Sequence, residues 1–597
     1  MSSGGVFSQS AAEFEKRGPI PSWLVSQGRQ YLVPFLGTAF TAWLIVVPLF
    51  FLIVSSFRSG TPWHPEAFTL QNYINAYSTS HTYVMFANTA VFAAASTLLS
   101  LVLAVLFAFL TERTDMPFRN VAWGLIIVPM AIPGLLFAVS WTFLLSPHIG
   151  LFNLWLRSAA SFFGIEIAQG PFNIYSLWGM IFLDGLRGVT TIFLIIVGAF
   201  RAMDPSLEEA SRAAGASNFT TFFRIFLPLL SPALLAAGMY SFMNSMESLE
   251  IPLVIGLPAR IFVFSSYIYF SAQRFVPPQY GLSAALGASY LLISILLVFW
   301  YRRLIGDVRR FATVTGKGYR PRILQLGKWR HAAFALFVVY FAVTIAAPCF
   351  VLVWTSLLPV YTTPSWEALS GLTLRNYRAV LSLRQIQEAI GNTVIVALAT
   401  AAVTMILSLI VGWTVVRGRI AKWRGFLDAI TFLPQSLPGV IIGIAFIFLY
   451  MQPPLNHLGL YGSLWILVMA LAVSYVAFGT RTMMGALTQI HQELEEAGEV
   501  CGSSWSSIMR RITLPLLMPA FISGAIWVAS HALRNLSIPL ILSTRGNPVL
   551  SVIIWHTWED GYPGRTAALG VMLIGALAIL AIAGRVMVHR LSRHQES

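Results

Sequence analysis

Leu207-Glu208-Glu209-Ala210-Ser211, followed by Gly215 and then by Ile225, Leu227 and Pro228, returns later in the chain as Leu494-Glu495-Glu496-Ala497-Gly498, Gly502, Ile512, Leu514 and Pro515. In both copies the second Glu and the Gly are six positions apart, and the Gly and the Pro thirteen. Pro232 and Pro519 extend the match. A Leu-Glu-Glu-Ala start followed by mixed polar and apolar residues favours a short amphipathic helix lying at a membrane surface. Gly accepts the positive φ of a turn that ends such a helix. Pro suits the first turn of the next helix, where a missing N–H costs little. The expected product is a short helix outside the bilayer, rigidly joined to a membrane helix and fit to transmit motion from a soluble partner.

The surroundings of the two segments are strongly apolar. Of 597 residues, 57% are hydrophobic and only 10% charged, and the mean hydropathy is +0.74, a balance foreign to a soluble chain of this length. Apolar runs long enough to cross a bilayer core of about 30 Å explain it. They lie near 35–57, 85–111, 120–146, 175–200, 227–256 and 282–302, and again near 331–358, 389–415, 426–450, 463–484, 516–543 and 566–590. The net charge of +15 sits in short loops between these runs, with no nucleic-acid-binding motif beside it, so nucleic acid is not an expected partner. Arg302, Arg303, Arg309, Arg310, Lys317, Arg320, Arg322, Lys328 and Arg330 face a single Asp307 between the halves, whereas the loop 451–462 has no Lys or Arg. That alternation predicts a multi-pass protein with both termini cytoplasmic. The polar start of the chain precedes a long first span and does not read as a cleavable signal peptide.

Repetition extends along the whole chain. Leu70, Asn72 and Tyr73 return as Leu374, Asn376 and Tyr377, and Asn88-Thr89 as Asn392-Thr393. Pro129, Pro133 and Gly134 return as Pro434, Pro438 and Gly439 at an offset of 305, which drops to 287 from Leu177-Trp178 and Leu464-Trp465 onward. The first half therefore carries 18 extra residues, expected in the loop around 147–174. An even number of spans per half gives both copies one orientation, related by a pseudo-two-fold axis along the membrane normal with a pathway between them.

On these residues the chain resembles the type I ABC-importer permeases, the binding-protein-dependent inner-membrane components, whose EAA loops the two Leu-Glu-Glu-Ala segments are similar to. It resembles the fused form, in which one polypeptide supplies both six-helix halves, as in ferric-iron and thiamine permeases. The resemblance covers nearly everything after residue 33. It implies an all-α integral membrane fold of twelve transmembrane helices as two parallel six-helix repeats. The divisions are a cytoplasmic segment 1–33, a first repeat 34–302 with its loop 203–228, a basic linker 303–330, a second repeat 331–590 with its loop 490–515, and a tail 591–597. It further implies coupling roles for Glu208, Glu209, Ala210 and Gly215, and for Glu495, Glu496, Ala497 and Gly502. Two ATP-binding subunits would dock there, and an external solute-binding protein would deliver a small solute, ferric iron foremost, across the inner membrane. Thiamine, polyamine and aminophosphonate are the alternative solutes, and an ion-gradient-driven secondary transporter is the alternative class. The flanks depart from identity, since Arg212 in the first copy corresponds to Glu499 in the second.

No G-x-x-x-x-G-K-[ST] phosphate loop occurs, since Gly316-Lys317 lacks the upstream Gly at the required spacing, so ATP hydrolysis is expected in a separate subunit and no enzyme activity here. No cofactor is expected. Cys349 and Cys501 lie in unlike settings, and no His, Cys or Glu cluster has metal-coordination spacing. Ionisable residues inside spans are costly, about 2.5–3.5 kcal/mol on insertion scales, and so mark candidate pathway positions. Asp184 and Arg187 share a helical face at i,i+3 and are placed to neutralise each other. Asn244, Glu247 and Glu250 precede Pro252, and His531, Arg534 and Asn535 precede Pro539. Glu247 and Arg534 are repeat equivalents, expected to face each other near the axis as gate, substrate contact or structural pair. Pro129, Pro133, Pro434 and Pro438 are expected to kink the third spans.

Overall fold

A computed structural model describes residues 32–202, 210–211, 213–308, 323–418 and 421–596. Glu208, Glu209 and most of the linker charges therefore lie outside the described residues. The first half runs through α1 (Leu32–Ser56), a hairpin of β1 (Arg58–Thr61) and β2 (His64–Phe68), α2 (Ser80–Arg113), α3 (Arg119–Ile127), α4 (Gly134–Leu145), α5 (Leu151–Phe162), α6 (Leu177–Ala202), α7 (Phe222–Glu247), α8 (Phe264–Gln273) and α9 (Tyr280–Val308). The second follows with α10 (Gly327–Ser356), α11 (Arg384–Arg417), α12 (Ala421–Phe432), α13 (Gly439–Tyr450), α14 (Leu464–Leu487), α15 (Glu493–Val500), α16 (Trp505–Arg534), α17 (Ser537–Leu542), α18 (Leu550–Glu559) and α19 (Pro563–Glu596). Ten described helices are long and apolar enough to cross a bilayer, or twelve if each of two bent pairs counts as one span. The extra residues of the first half form α5.

The bent pairs are the third spans, and they are broken rather than kinked. The axis turns by 99° between Arg119–Ala131 and Gly134–Leu145, and by 110° between Lys422–Ser436 and Gly439–Tyr450. Each break has the same cause. A residue before Pro is pushed out of helical conformation, and Ile132 and Leu437 stand extended, with ψ 127° and 128°, before Pro133 and Pro438. The segments that follow, α4 and α13, are buried along almost their whole length, as helices apolar all round should be. The fifth spans differ from expectation too. Each ends early, at Glu247 and Arg534, where Ser248 and Asn535 leave the helix with ψ 124° and 126°. Ser265 and Ser551 donate to the two freed carbonyls at 2.6 and 2.7 Å.

Duplication of sequence is duplication of hydrogen bonds. Asn72 Nδ2 donates to the carbonyls of Ser56 and Arg58 at 3.0 and 2.8 Å, and Asn376 to those of Ser356 and Leu358 at the same distances. Thr89 Oγ1 accepts from Phe264 N at 2.9 Å, and Thr393 Oγ1 from Leu550 N at 2.8 Å. Gly281 and Gly564 complete the pattern, because a Cβ at either would lie 2.3 or 2.6 Å from the Asn side chain. Asn376 is buried, so Asn376→Ala leaves two carbonyls without their donor. A loss of about 1–3 kcal/mol is expected, measured as a lower unfolding temperature in detergent, with a smaller loss for the more exposed Asn72→Ala.

The halves interlock. The first helix of each half packs on the other half, α1 against α11 and α13, and α10 against α3 and α4. One apolar core takes side chains from both halves, from Leu44 and Phe137 to Phe446 and Trp555. This shared core buries α4 and α13, and their first residues, Gly134 and Gly439, line one cavity.

Candidate functional site

That cavity has a volume of about 380 Å³ and is walled by both halves. Asp184, Arg187, Asn244, Glu247 and Glu250 come to it from the first half, and His531, Arg534 and Asn535 from the second. All eight pathway candidates thus converge, because both fifth spans break at its edge and present their last turns to it.

The pairing inside differs from the sequence expectation. Arg187 does not take Asp184 as its ion-pair partner; its Nη1 stands 3.5 Å from Glu250 Oε2. Asp184 Oδ2 instead accepts a hydrogen bond from Ser245 Oγ at 2.5 Å. Nor do Glu247 and Arg534 pair. Arg534 Nη1 donates to the Met130 carbonyl, and its Nη2 stands 2.6 Å from His531 Nε2. The His531 ring is oriented by Nδ1, 2.9 Å from the Trp527 carbonyl, and stacks on Trp527 with centroids 3.7 Å apart. With Nδ1–H donating to that carbonyl, Nε2 is left as the acceptor for Arg534. Asn535 Nδ2 donates to the Tyr475 hydroxyl at 2.9 Å. Glu247 Oε1 is buried without a hydrogen-bond partner.

Sequence reasoning missed Gly134 and Met130 as parts of this site. A Cβ on Gly134 would fall 1.7 Å from Glu250 Oε2 and 2.2 Å from Arg187 Nη1, so only glycine lets the ion pair lie across the start of α4. The signal was present as the repeated Pro-Gly pair, but its partners belong to other helices.

The surface that carries α15 and, in the first copy, the described residues Ala210, Ser211 and Gly215 is here called the motif face. In the second copy α15 ends in a Schellman turn: Gly502 N donates to Glu499 O at 2.9 Å and Ser503 N to Gly498 O at 3.0 Å, with Gly502 at φ 76°. In the first copy Ala216 N donates to Ser211 O at 3.1 Å and Gly215 has φ 80°. The next helix starts earlier than expected, so Pro515 lies inside it and not at its start. A π-turn, Met509–Thr513, absorbs the missing donor and the bulk of the ring, and Phe222–Phe226 does the same before Pro228.

Glu495 is buried, not offered to a partner. Its Oε2 accepts from Trp413 Nε1 at 3.0 Å, its Oε1 accepts from Thr513 Oγ1 at 3.3 Å, and Arg417 Nε stands 3.8 Å away. Arg417 also donates to the carbonyls of Leu487 and Ile490. The carboxylate thus ties α15 to the end of α11 and the start of α16, and through Arg417 to the end of α14. Glu496, Ala497 and Val500 point outward, as do Ala210 and Gly215 in the first copy. Arg113, the repeat counterpart of Arg417, is buried and donates to Phe200 O at 2.8 Å.

Two broken, repeat-related spans beside a cavity lined with charged side chains from both halves, on a chain that repeats its Leu-Glu-Glu-Ala segment, define a duplicated membrane transport component. The chain belongs to the family described as binding-protein-dependent transport system inner membrane component, which matches residues 100–310 and 405–595. Among its relatives, the ferric transport system permease protein FbpB of Actinobacillus pleuropneumoniae is 27% identical over 420 residues, 67% of this chain and 57% of that protein. The putative ferric transport system permease protein FbpB 1 of Haemophilus influenzae is 25% identical over 519 residues, 85% of this chain and 77% of that one. A putative 2-aminoethylphosphonate transport system permease protein, PhnV of Salmonella typhimurium, is 26% identical over 258 residues, 42% of this chain and 92% of its own length. Among solved structures, a bacterial ABC transporter involved in alginate import covers 48% of this chain and 99% of its own at 15% identity, with a TM-score of 0.37.

Proposed function

We propose that this chain is the pore-forming subunit of an ATP-driven importer that carries ferric iron through the central cavity. Two ATP-binding subunits dock on the motif face, one on each of the loops 203–228 and 490–515, and the motif face and both termini are cytoplasmic. A solute-binding protein delivers cargo to the opposite face. In this reading Glu495, and by repetition Glu208, fixes the coupling helix, while Glu209, Glu496, Ala210 and Ala497 meet the ATP-binding subunit. Gly215 and Gly502 turn the chain into the next span. The repeats 34–302 and 331–590 then act as two rigid halves.

The observation that carries the reading is the immobilised α15: a helix bolted to α11 and α16 by one buried carboxylate and to α14 through Arg417, with its outer side left open. Motion applied to that side passes directly to α16, whose far end is Arg534 in the cavity. Iron is favoured by the similarity to two ferric transport system permease proteins and by the oxygen chemistry of Asp184, Glu247 and Glu250, which suits a hard cation.

Val500, 89% exposed, stands at the end of α15. Val500→Asp is expected to abolish co-purification of the ATP-binding subunit, and ATP-dependent ferric uptake into vesicles with it, without changing the thermal stability of the chain alone. Full uptake and an intact complex would refute the docking surface.

A further inference from the structure

Within the cavity every ionisable side chain but one is engaged by the protein. Arg187 has Glu250, Asp184 has Ser245, Arg534 has the Met130 carbonyl, and His531 lies between Arg534 and Trp527. Glu247 lines the same cavity, yet its Oε1 is buried with no hydrogen-bond partner. A carboxyl left so inside an apolar bundle costs several kcal/mol unless something completes it. The fold had the means to satisfy it, since the repeat-equivalent position carries Arg534, which is turned instead to a backbone carbonyl of the third span.

We propose that Glu247 is the carboxylate that receives the cargo, and that the cargo meets it as a cation. The inference rests on the import reading and sharpens it. Three carboxyls face two guanidiniums in the cavity, so with all five ionised the walls carry one negative charge in excess. Glu250 is already compensated by Arg187, which leaves that excess on Asp184 and Glu247, and Asp184 is held by a serine. Neutral oxygens complete the surroundings: Asn244 lies one helical turn below Glu247, and Ser248 follows it at the break. Among the described residues no three His, Cys, Asp or Glu side chains stand close enough to hold a metal ion together. Glu247 is therefore a transit contact, one charge plus neutral oxygens, strong enough to draw a cation in and weak enough to release it.

Terbium(III), a hard trivalent ion whose luminescence is sensitised by nearby aromatic rings, tests this on the full chain in lipid nanodiscs. Tyr475 and Trp527 line the cavity and serve as antennas. Wild type is expected to give saturable sensitised emission, and Glu247→Gln to weaken binding by about tenfold or more, since hard-cation affinity follows ligand charge. Glu388→Gln removes an exposed carboxylate outside the cavity, paired with Arg384 at 2.8 Å, and is expected to keep the affinity within about threefold. Glu247→Asp should recover part of the loss. Unchanged terbium binding in Glu247→Gln, or no sensitised emission from wild type, overturns the proposal. Ferric uptake by the whole transporter separates the two levels. Uptake intact in Glu247→Gln sinks the transit carboxylate alone, whereas no ATP-dependent uptake by the wild-type chain sinks the import reading itself.

Discussion

Glu495→Ala is expected to abolish transport and to be the most destabilising single substitution on the motif face. The side chains of Arg417 and Glu495 are only 12% and 8% exposed. Removing one member of a buried pair leaves the other charge uncompensated, at a cost of about 3–5 kcal/mol. Trp413 Nε1 and Thr513 Oγ1 lose the acceptor they share in the same step. The mechanical effect is larger than the energetic one, because α15 then loses its polar tie to α11 and keeps its chain connection and the packing of Gly498 on Ile508 and Ile512. The checks are thermal unfolding in detergent and ATP-dependent uptake in vesicles containing the ATP-binding subunits. Glu495→Gln retains an acceptor for Trp413 and should fall between Ala and wild type. Arg417→Leu/Glu495→Ala, lacking both charges, should be more stable than Glu495→Ala alone yet equally uncoupled. Wild-type uptake in Glu495→Ala would mean that other contacts position the surface helix.

Gly134→Ala is the second large effect, and its signature is different. The added methyl would sit where Glu250 Oε2 and Arg187 Nη1 now lie, at 1.7 and 2.2 Å. Both atoms are tips of flexible side chains, so the backbone need not move and stability should change by no more than about 1–2 kcal/mol. The ion pair, however, has to leave its station. Displaced, its two charges change the field over the cavity, and uptake is expected to drop by about tenfold or more as these intramembrane charges lose compensation. At the equivalent Gly439 the methyl would approach Ser537 Cβ at 2.8 Å and Ile538 Cγ1 at 3.1 Å, which is steric crowding without charge. Gly439→Ala should therefore lower stability more and disturb cavity electrostatics less. A folded Gly134→Ala protein with unaltered transport would remove the Arg187–Glu250 pair from the working part of the cavity.

Much of this architecture was legible in the residues. Periodic apolar runs give the spans, and nearly constant offsets, 304–305 and then 287, give the duplication, because repeated polar residues such as Asn72 and Asn376 perform the same backbone bonds in each half. The candidate pathway residues were legible for a related reason: ionisable groups inside apolar runs have few places to go, and all eight reach one cavity. Partnerships were not legible. The i,i+3 spacing of Asp184 and Arg187 says that both lie on one face of α6, but not which side chains arrive from α7 and its break. Arg534 turns to the Met130 carbonyl, since Pro133 has no N–H to offer that oxygen, and a backbone acceptor leaves no mark in a sequence. The turns of 99° and 110° were hidden as well. Pro in an apolar run signals a disturbed helix, while the size of the bend depends on the pre-proline residue going extended and on the space that the other half supplies.

The unlike residues at matched stations have a further consequence. In a channel built from two identical chains, a group near the symmetry axis meets its own copy, so an acid faces an acid and a base faces a base. Tandem fusion lifts that restriction: Glu247 and Arg534 drifted apart in chemistry while keeping their place on the scaffold. The cavity gains a lopsided field with an acidic bank and a basic, aromatic bank, so the cationic cargo proposed above would keep to one side of it instead of threading a ring.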